Sequence, residues 1–325
     1  LLGSGGSRDP EEDKSLPQVV VSTEQWNRMA RLVEKDHTVK MRVEVQTTFH
    51  TEDLAGYNVI GEIPGTDPLL KDEIVMLGGH FDSWHPATGA TDNGASCAVM
   101  IEGARILKAI GAANRRTIRV ALWSGEEQGL HGSRGYVKNH FADRDDMILK
   151  PEHSRLSAYF NMDNGAGRLR GVYCEENSAV LPIFRAWMEP LADLGMTTLT
   201  LRTTGGTDHQ SFDGIGLPGF QFIQDPMDYS ARTHHTNMDT YERVHPGDVV
   251  QASIVVATFA YHTANRDEKL PRMPLPEARR RPEPEPEPKP EPAAVQASAP
   301  APEAEQKAEA PEPVKVGSGA ADGHD

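Results

Sequence analysis

Short apolar runs recur along the chain, and most of them stop at a glycine or a carboxylate. Ile74-Val75-Met76-Leu77 has the length of a buried strand, and the small apolar residues 95–109 read as the helix that follows it. The pattern repeats. Strands are expected at 57–63, 117–124, 156–163, 199–202 and 219–223, and helices at 130–140, 180–194 and 249–262. Ahead of these, 17–22 reads as a short strand, and Ser22 or Thr23 as the cap of an amphipathic helix through Val33. Residues 40–49, where Met41, Val43 and Val45 alternate with polar positions, read as a half-exposed strand. Strands alternating with helices predict the α/β class, with a mostly parallel sheet sandwiched by helices.

The pattern fails from Pro271 onward. Thirteen of the 24 prolines lie there and no aromatic follows Tyr261, so this stretch cannot bury enough apolar surface to fold. Its alternating Pro and Glu favour an extended, solvated chain, and a disordered C-terminal tail is expected. The net charge is −15; the 11 acids and 7 bases from Pro271 on account for −4, which leaves −11 for the body. Phosphates would be repelled by such a body, which argues against nucleic acid as a partner. Two cysteines, Cys97 and Cys174, allow neither a disulfide framework nor a thiolate metal cage. No stretch reaches the roughly 18 apolar residues of a membrane span, and no signal peptide is visible. A start at Leu1 in a Gly/Ser-rich stretch reads as a processed or truncated piece.

The ends of the expected strands carry the chemistry. His80 and Asp82 follow the first apolar run, and Asp92 lies on the loop behind them. Glu126 and Glu127, Asp163, and His235 end or follow later strands. Carboxyl ends of parallel strands share one sheet edge, so residues from position 80 to position 235 can converge there. Imidazole and carboxylate ligands without thiolate suit zinc in an open site. One bridging acid, two His and two further acids suffice for two ions. In a non-helical turn the adjacent Glu126 and Glu127 side chains diverge, so one can bind metal while the other serves as general base. Asp82 can accept the second ring N–H of His80, and Asp239 is a candidate behind the ligands. His85 is a further candidate in the first loop.

His80-Phe81-Asp82-Ser83, Asp92-Asn93-Gly94, Gly125-Glu126-Glu127, Asn161-Met162-Asp163 and His235-Thr236 with Asp239-Thr240 resemble the motif set of the M28 metallopeptidases, a family of co-catalytic zinc aminopeptidases and carboxypeptidases. The similarity runs in order from about Tyr57 to about Asn265. It implies the zinc-aminopeptidase fold, two Zn²⁺ per chain and hydrolysis of a terminal peptide bond of a peptide substrate. It also implies roles. Asp92 matches the bridging ligand, His80 and Asp163 the ligands of one zinc, and Glu127 and His235 those of the other. Glu126 matches the general base and Asp82 the acid behind His80. His235 is preferred to His234 because it directly precedes the Thr-x-x-Asp-Thr pattern, and His85 matches nothing. Asp208 and His209 fall in a loop near the substrate. By the same resemblance residues 50–270 form the peptidase domain, 1–49 are the remnant of a protease-associated insert, and 271–325 are the tail. A secreted or periplasmic location and a possible homodimer are further implications.

Two departures matter. Where some family members carry a Tyr before a Pro to stabilise the oxyanion, Leu217 precedes Pro218, which shifts that task to the metals, with His209 a further candidate. Only the closing half of the insert is represented before Phe49. A single-zinc glutaminyl cyclase and a catalytically inactive binding module share the fold and stand as alternatives. Arg168, Arg170 and Arg232 lie near site segments and could hold a substrate carboxylate.

Overall fold

The computed structural model describes residues 11, 19–44, 46, 48–84 and 87–279. Seven strands form one sheet: β1 (Val59–Ile63), β2 (Ile74–His80), β3 (Thr117–Trp123), β4 (Leu156–Asn161), β5 (Leu169–Tyr173), β6 (Thr198–Thr200) and β7 (Gly219–Gln224). Their order is β1-β3-β2-β4-β7-β5-β6. The central four, β3, β2, β4 and β7, run parallel, while β1 pairs antiparallel with β3 and β5 with β7. The expected mostly parallel sheet is therefore what forms.

Helices cover both faces, and the alternation within β2 shows why. Val75 and Leu77 point into a core shared with α2 (Ala95–Ala109), α4 (Leu181–Met188) and α6 (Pro246–Asn265). Ile74 and Met76 point into a second core, filled by α3 (His131–His140) and α5 (His209–Asp213). A strand buried on both faces reads as continuous apolar sequence, which is how β2 announces itself. β2 also approaches its neighbours closely. A Cβ on Gly78 would stand 2.6 Å from the Tyr159 hydroxyl and 2.8 Å from the Ala121 carbonyl oxygen, so only glycine fits. That hydroxyl accepts from Trp123 Nε1 at 2.8 Å and donates to Asn161 Oδ1 at 2.5 Å, tying β3 to β4 beneath the site.

Several sequence expectations need correction. Residues 19–22 of the strand expected at 17–22 are irregular, and 17 and 18 lie outside the described residues. The described part of 40–49 is irregular too, with Met41, Val43 and Phe49 exposed. Period-two alternation makes a strand only where a neighbour completes the ladder, and among the described residues these positions have none. The helix expected over 180–194 stops as α4 at Met188 and continues as a 3₁₀ turn, Glu189–Leu194, where Pro190 lacks an N–H. β5 was not expected, because Leu169-Arg170-Gly171-Val172-Tyr173 is short and broken by glycine. Its strand geometry comes from lying between β7 and β6. The helix Thr23–Val33, here α1, forms as expected with Ser22 Oγ accepting from Gln25 N at 3.3 Å. Residues 271–279 are irregular, and His85 and the tail from 280 lie outside the described residues. No helix of the described residues is long and apolar enough to cross a membrane.

Phe160 anchors the larger core, fully buried among Phe184, Phe220, Phe222 and Phe259. Phe160→Ala is expected to destabilise the protein by about 3–5 kcal/mol, read as a lower urea midpoint at unchanged slope.

Candidate metal centre

Each element end delivers a side chain to the same edge of the sheet. His80 is the last residue of β2, and its carbonyl accepts from the Cys97 thiol at 3.0 Å. Burial pushes that thiol up to about 12, so Cys97 is neutral and structural. Asp92 lies in the turn Ala90–Gly94 before α2. The backbone there is non-helical at Asp92 and Asn93, and the peptide bond between them is cis. Glu126 and Glu127 follow β3, Asp163 follows β4, and His235, with φ 57°, lies on the loop between β7 and α6.

The five residues converge in a specific pattern. His80 Nε2 is 3.3 Å from Asp92 Oδ1 and 3.4 Å from Asp163 Oδ1. His235 Nε2 is 3.3 Å from Asp92 Oδ2 and 3.1 Å from Glu127 Oε2. Two groups result, each one imidazole nitrogen and two carboxylate oxygens, and Asp92 gives one oxygen to each. Glu126 turns the other way from Glu127, its Oε2 3.9 Å from His80 Nε2.

The donor set fits zinc. Bonds of about 2.0–2.2 Å in a tetrahedral site place neighbouring ligand atoms roughly 3.3–3.6 Å apart, close to the separations found here. Asp92 Oδ2, Glu126 Oε1, Glu127 Oε1 and Asp163 Oδ1 are buried without a hydrogen-bond partner. Among the described residues the ion-pair partners of these acids are His80 and His235 alone. So many buried carboxylates are costly unless a cation joins them.

The electrostatics follow from this crowding. Burial opposes the His80 imidazolium, but Asp163, Asp82 and Asp92 outweigh it and raise its pKa well above the ordinary value. Burial also opposes ionisation of Asp92, yet His80 and His235 hold its carboxyl below the usual range. Glu126 goes the other way. Burial, reinforced by Asp163, Asp208 and Glu127, pushes it up to about 10. A cation between these groups would lower that value.

The surrounding residues differ from expectation in instructive ways. The closer partner of His80 Nδ1 is the carbonyl oxygen of Asp82, at 3.0 Å, with the Asp82 carboxylate at 3.6 Å. That carboxylate accepts instead from the amides of Glu126 and Glu127, both at 3.2 Å, and so fixes the turn carrying them. Asp208 is fully buried near Asp163, and burial pushes its carboxyl up to about 7. His209 is fully buried with Nε2 3.1 Å from the Thr204 carbonyl oxygen and 3.7 Å from Glu175 Oε1. A buried N–H must be satisfied, and this one is turned to Thr204 rather than to an oxyanion.

One nearby residue, Tyr229, was missed from the sequence, and a second, His234, was set aside there in favour of His235. Tyr229 is buried beside the cluster. Burial, with Asp163, Asp92 and Glu127, raises its hydroxyl well above the ordinary pKa. His234 stacks between Tyr229 and His235, with centroids 4.8 and 3.8 Å away, and its ring nitrogen lies within 4.8 Å of ligand atoms of Asp92 and His235. It makes no ion pair within 4.0 Å among the described residues, whereas His235 makes two. For Tyr229 the sequence signal was no more than proximity to His235.

The chain was also compared with known proteins. The sequence model of peptidase family M28 matches residues 58–260. Carboxypeptidase Q of Mus musculus is 28% identical over 257 residues, which are 79% of this chain and 52% of that protein. The chain thus spans about half the length of the curated relatives it matches. The crystal structure of a peptidase M28 precursor from Shewanella amazonensis shares 33% identity at a TM-score of 0.58, covering 68% of this chain and 47% of that one. The zinc aminopeptidase BSAP of Bacillus subtilis shares 27% at 0.53, covering 65% and 51%.

Because the carboxylates gather only in the folded chain, zinc should bind the native state almost exclusively. Chelator-stripped protein is expected to gain about 2.7 kcal/mol at a free zinc concentration 100 times Kd, visible as a saturable rise in melting temperature.

Proposed function

The chain belongs to peptidase family M28, and we propose that it is a di-zinc exopeptidase hydrolysing a terminal peptide bond. One observation carries this reading: the two oxygens of Asp92 face two separate imidazole–carboxylate groups, 3.3 Å from His80 Nε2 and 3.3 Å from His235 Nε2. A carboxylate so placed suits a bridging ligand, with His80 and Asp163 on one ion and Glu127 and His235 on the other. The paired arrangement favours the peptidase over a single-zinc cyclase. The full set of acids and imidazoles speaks against an inactive binding module.

Zinc, when bound, supplies Lewis acidity toward the scissile carbonyl and makes water a better acid. The proton work falls to Glu126. Its Oε1 is buried and without a partner, and the amide hydrogen bond to Asp82 fixes where its turn sits. Glu126 takes a proton from the attacking water and delivers it to the leaving amine nitrogen as the C–N bond breaks and a C–O bond forms. Glu127, turned toward His235, is left to hold metal.

The substrate's free end is read from what remains unengaged. Arg168 pairs with Asp248 at 2.9 Å, Arg170 is hydrogen-bonded to Asp225 at 2.8 Å, and Arg232 reaches Glu24 at 3.5 Å. Each of the three already has a carboxylate partner, which weakens its claim to be the anchor of a substrate carboxylate. The surplus of carboxylates around the site complements a free α-amine, and the favoured substrates are peptides or dipeptides with an unblocked N-terminus.

Glu126→Gln should keep its zinc and lose about 10²–10⁴-fold in kcat; wild-type turnover in the purified variant would remove Glu126 as the base. A panel of blocked and unblocked dipeptides with added Zn²⁺ tests the substrate end. Cleavage of N-blocked but not C-blocked dipeptides would overturn the amine reading.

A further inference from the structure

The motif places Asp239 next to His235, which makes it look like the acid that orients that ring. Its bonds lead elsewhere. Among the described residues no hydrogen bond joins Asp239 to His235, whose Nδ1 has no partner. Instead, Asp239 Oδ1 accepts from the Thr91 amide at 2.7 Å and the Thr91 hydroxyl at 2.7 Å, and Oδ2 accepts from the Asp92 amide at 2.9 Å. The Asp239 carbonyl oxygen takes the Thr88 amide at 3.2 Å and its hydroxyl at 3.1 Å. Asp239 is 3% exposed and pairs with no cation among the described residues, so its charge is stabilised by these dipoles.

We propose that Asp239 is the positioning residue of the Asp92 loop, holding Asp92 so that its two oxygens reach both halves of the metal centre. This rests on reading Asp92 as the shared ligand. The non-helical backbone at Asp92 and Asn93 denies this turn the usual helical acceptors. Its amides must find acceptors elsewhere, and one side chain with two acceptor oxygens supplies them. An asparagine could not: turned to satisfy Thr91, it would present its NH₂ to the Asp92 N–H. The bonds span 147 to 151 residues, joining the loop after β2 to the loop after β7. Thr91 Oγ1 has its one hydrogen on Asp239, so the Thr233 hydroxyl, 2.8 Å away, reinforces the join by donating to it. The same contacts that place Asp92 therefore set its distance from His235.

The test is zinc affinity, measured by competition with a chromophoric chelator, together with the visible spectrum of the Co²⁺-substituted protein. Asp239→Asn should weaken zinc about 10–100-fold for every ion that Asp92 touches and shift the cobalt bands, with far-UV circular dichroism unchanged. Thr91→Val keeps both amide bonds but removes one of the three bonds to the carboxylate, and should weaken zinc by a smaller but measurable factor, about 2–10-fold. Wild-type zinc affinity and an unaltered cobalt spectrum in folded Asp239→Asn would overturn the proposal. Should that variant fail to fold, Thr91→Val decides, and wild-type affinity in it likewise overturns the proposal. The wild-type metal count is read in the same titration. One zinc per chain, or no hydrolysis of any dipeptide, would defeat the di-zinc peptidase reading while leaving the affinity comparison to judge Asp239.

Discussion

Buried negative charge is the constraint on which the rest of this structure depends. Asp92, Glu126, Glu127, Asp163 and Asp208 lie at one edge of the sheet, and among the described residues the imidazoles of His80 and His235 are the only cation-capable side chains that pair with the first four. Hydrophobic burial alone would never assemble such a cluster, because each desolvated carboxylate costs free energy. The sheet tolerates it because its cores are large and lie away from that edge, on the two faces covered by helices. Further stabilisation comes from main-chain dipoles aimed at the carboxylates of Asp82 and Asp239.

Much of this was legible in the sequence. The buried strands β2 and β4 read as continuous apolar runs because helices cover both their faces, and the ligand residues stand where those strands stop. What could not be read depended on partners. The described part of residues 40–49 makes no strand despite its alternation, since no neighbour among the described residues pairs with it. β5 has no such pattern and still forms, because β7 and β6 flank it. The ligand cluster follows from motif and topology together, but the side chains around it do not. Asp82 was expected behind His80; its carboxylate lies 3.6 Å from that ring and also accepts from the amides of Glu126 and Glu127, which the sequence did not suggest. Asp239 was expected near His235 and reaches Asp92. Sequence spacing suggests which loop a residue joins; it cannot say which amide across the site needs an acceptor.

Substrate choice is where pairing decides most. Arg168, Arg170 and Arg232 each looked available in the sequence, and each is engaged by an acid from a different part of the chain. A positive charge in a sequence is only a potential anchor until its partner is known. The identity shared with carboxypeptidase Q and with a zinc aminopeptidase spans roughly half of those proteins, and both ends of a peptide are represented in their names.

The span from His80 to His235 has a consequence for how the molecule assembles. No two ligands of different loops are near in sequence, and each half of the centre draws on a residue reached only after β4 or β7 has joined the sheet. Contacts of such long range form slowly, because loop closure must be completed before they return any free energy. The half holding His80, Asp92 and Asp163 needs only β2 and β4. The half holding Glu127 and His235 closes only when the chain beyond β7 is in place, so its closure times the docking of the last parallel strand.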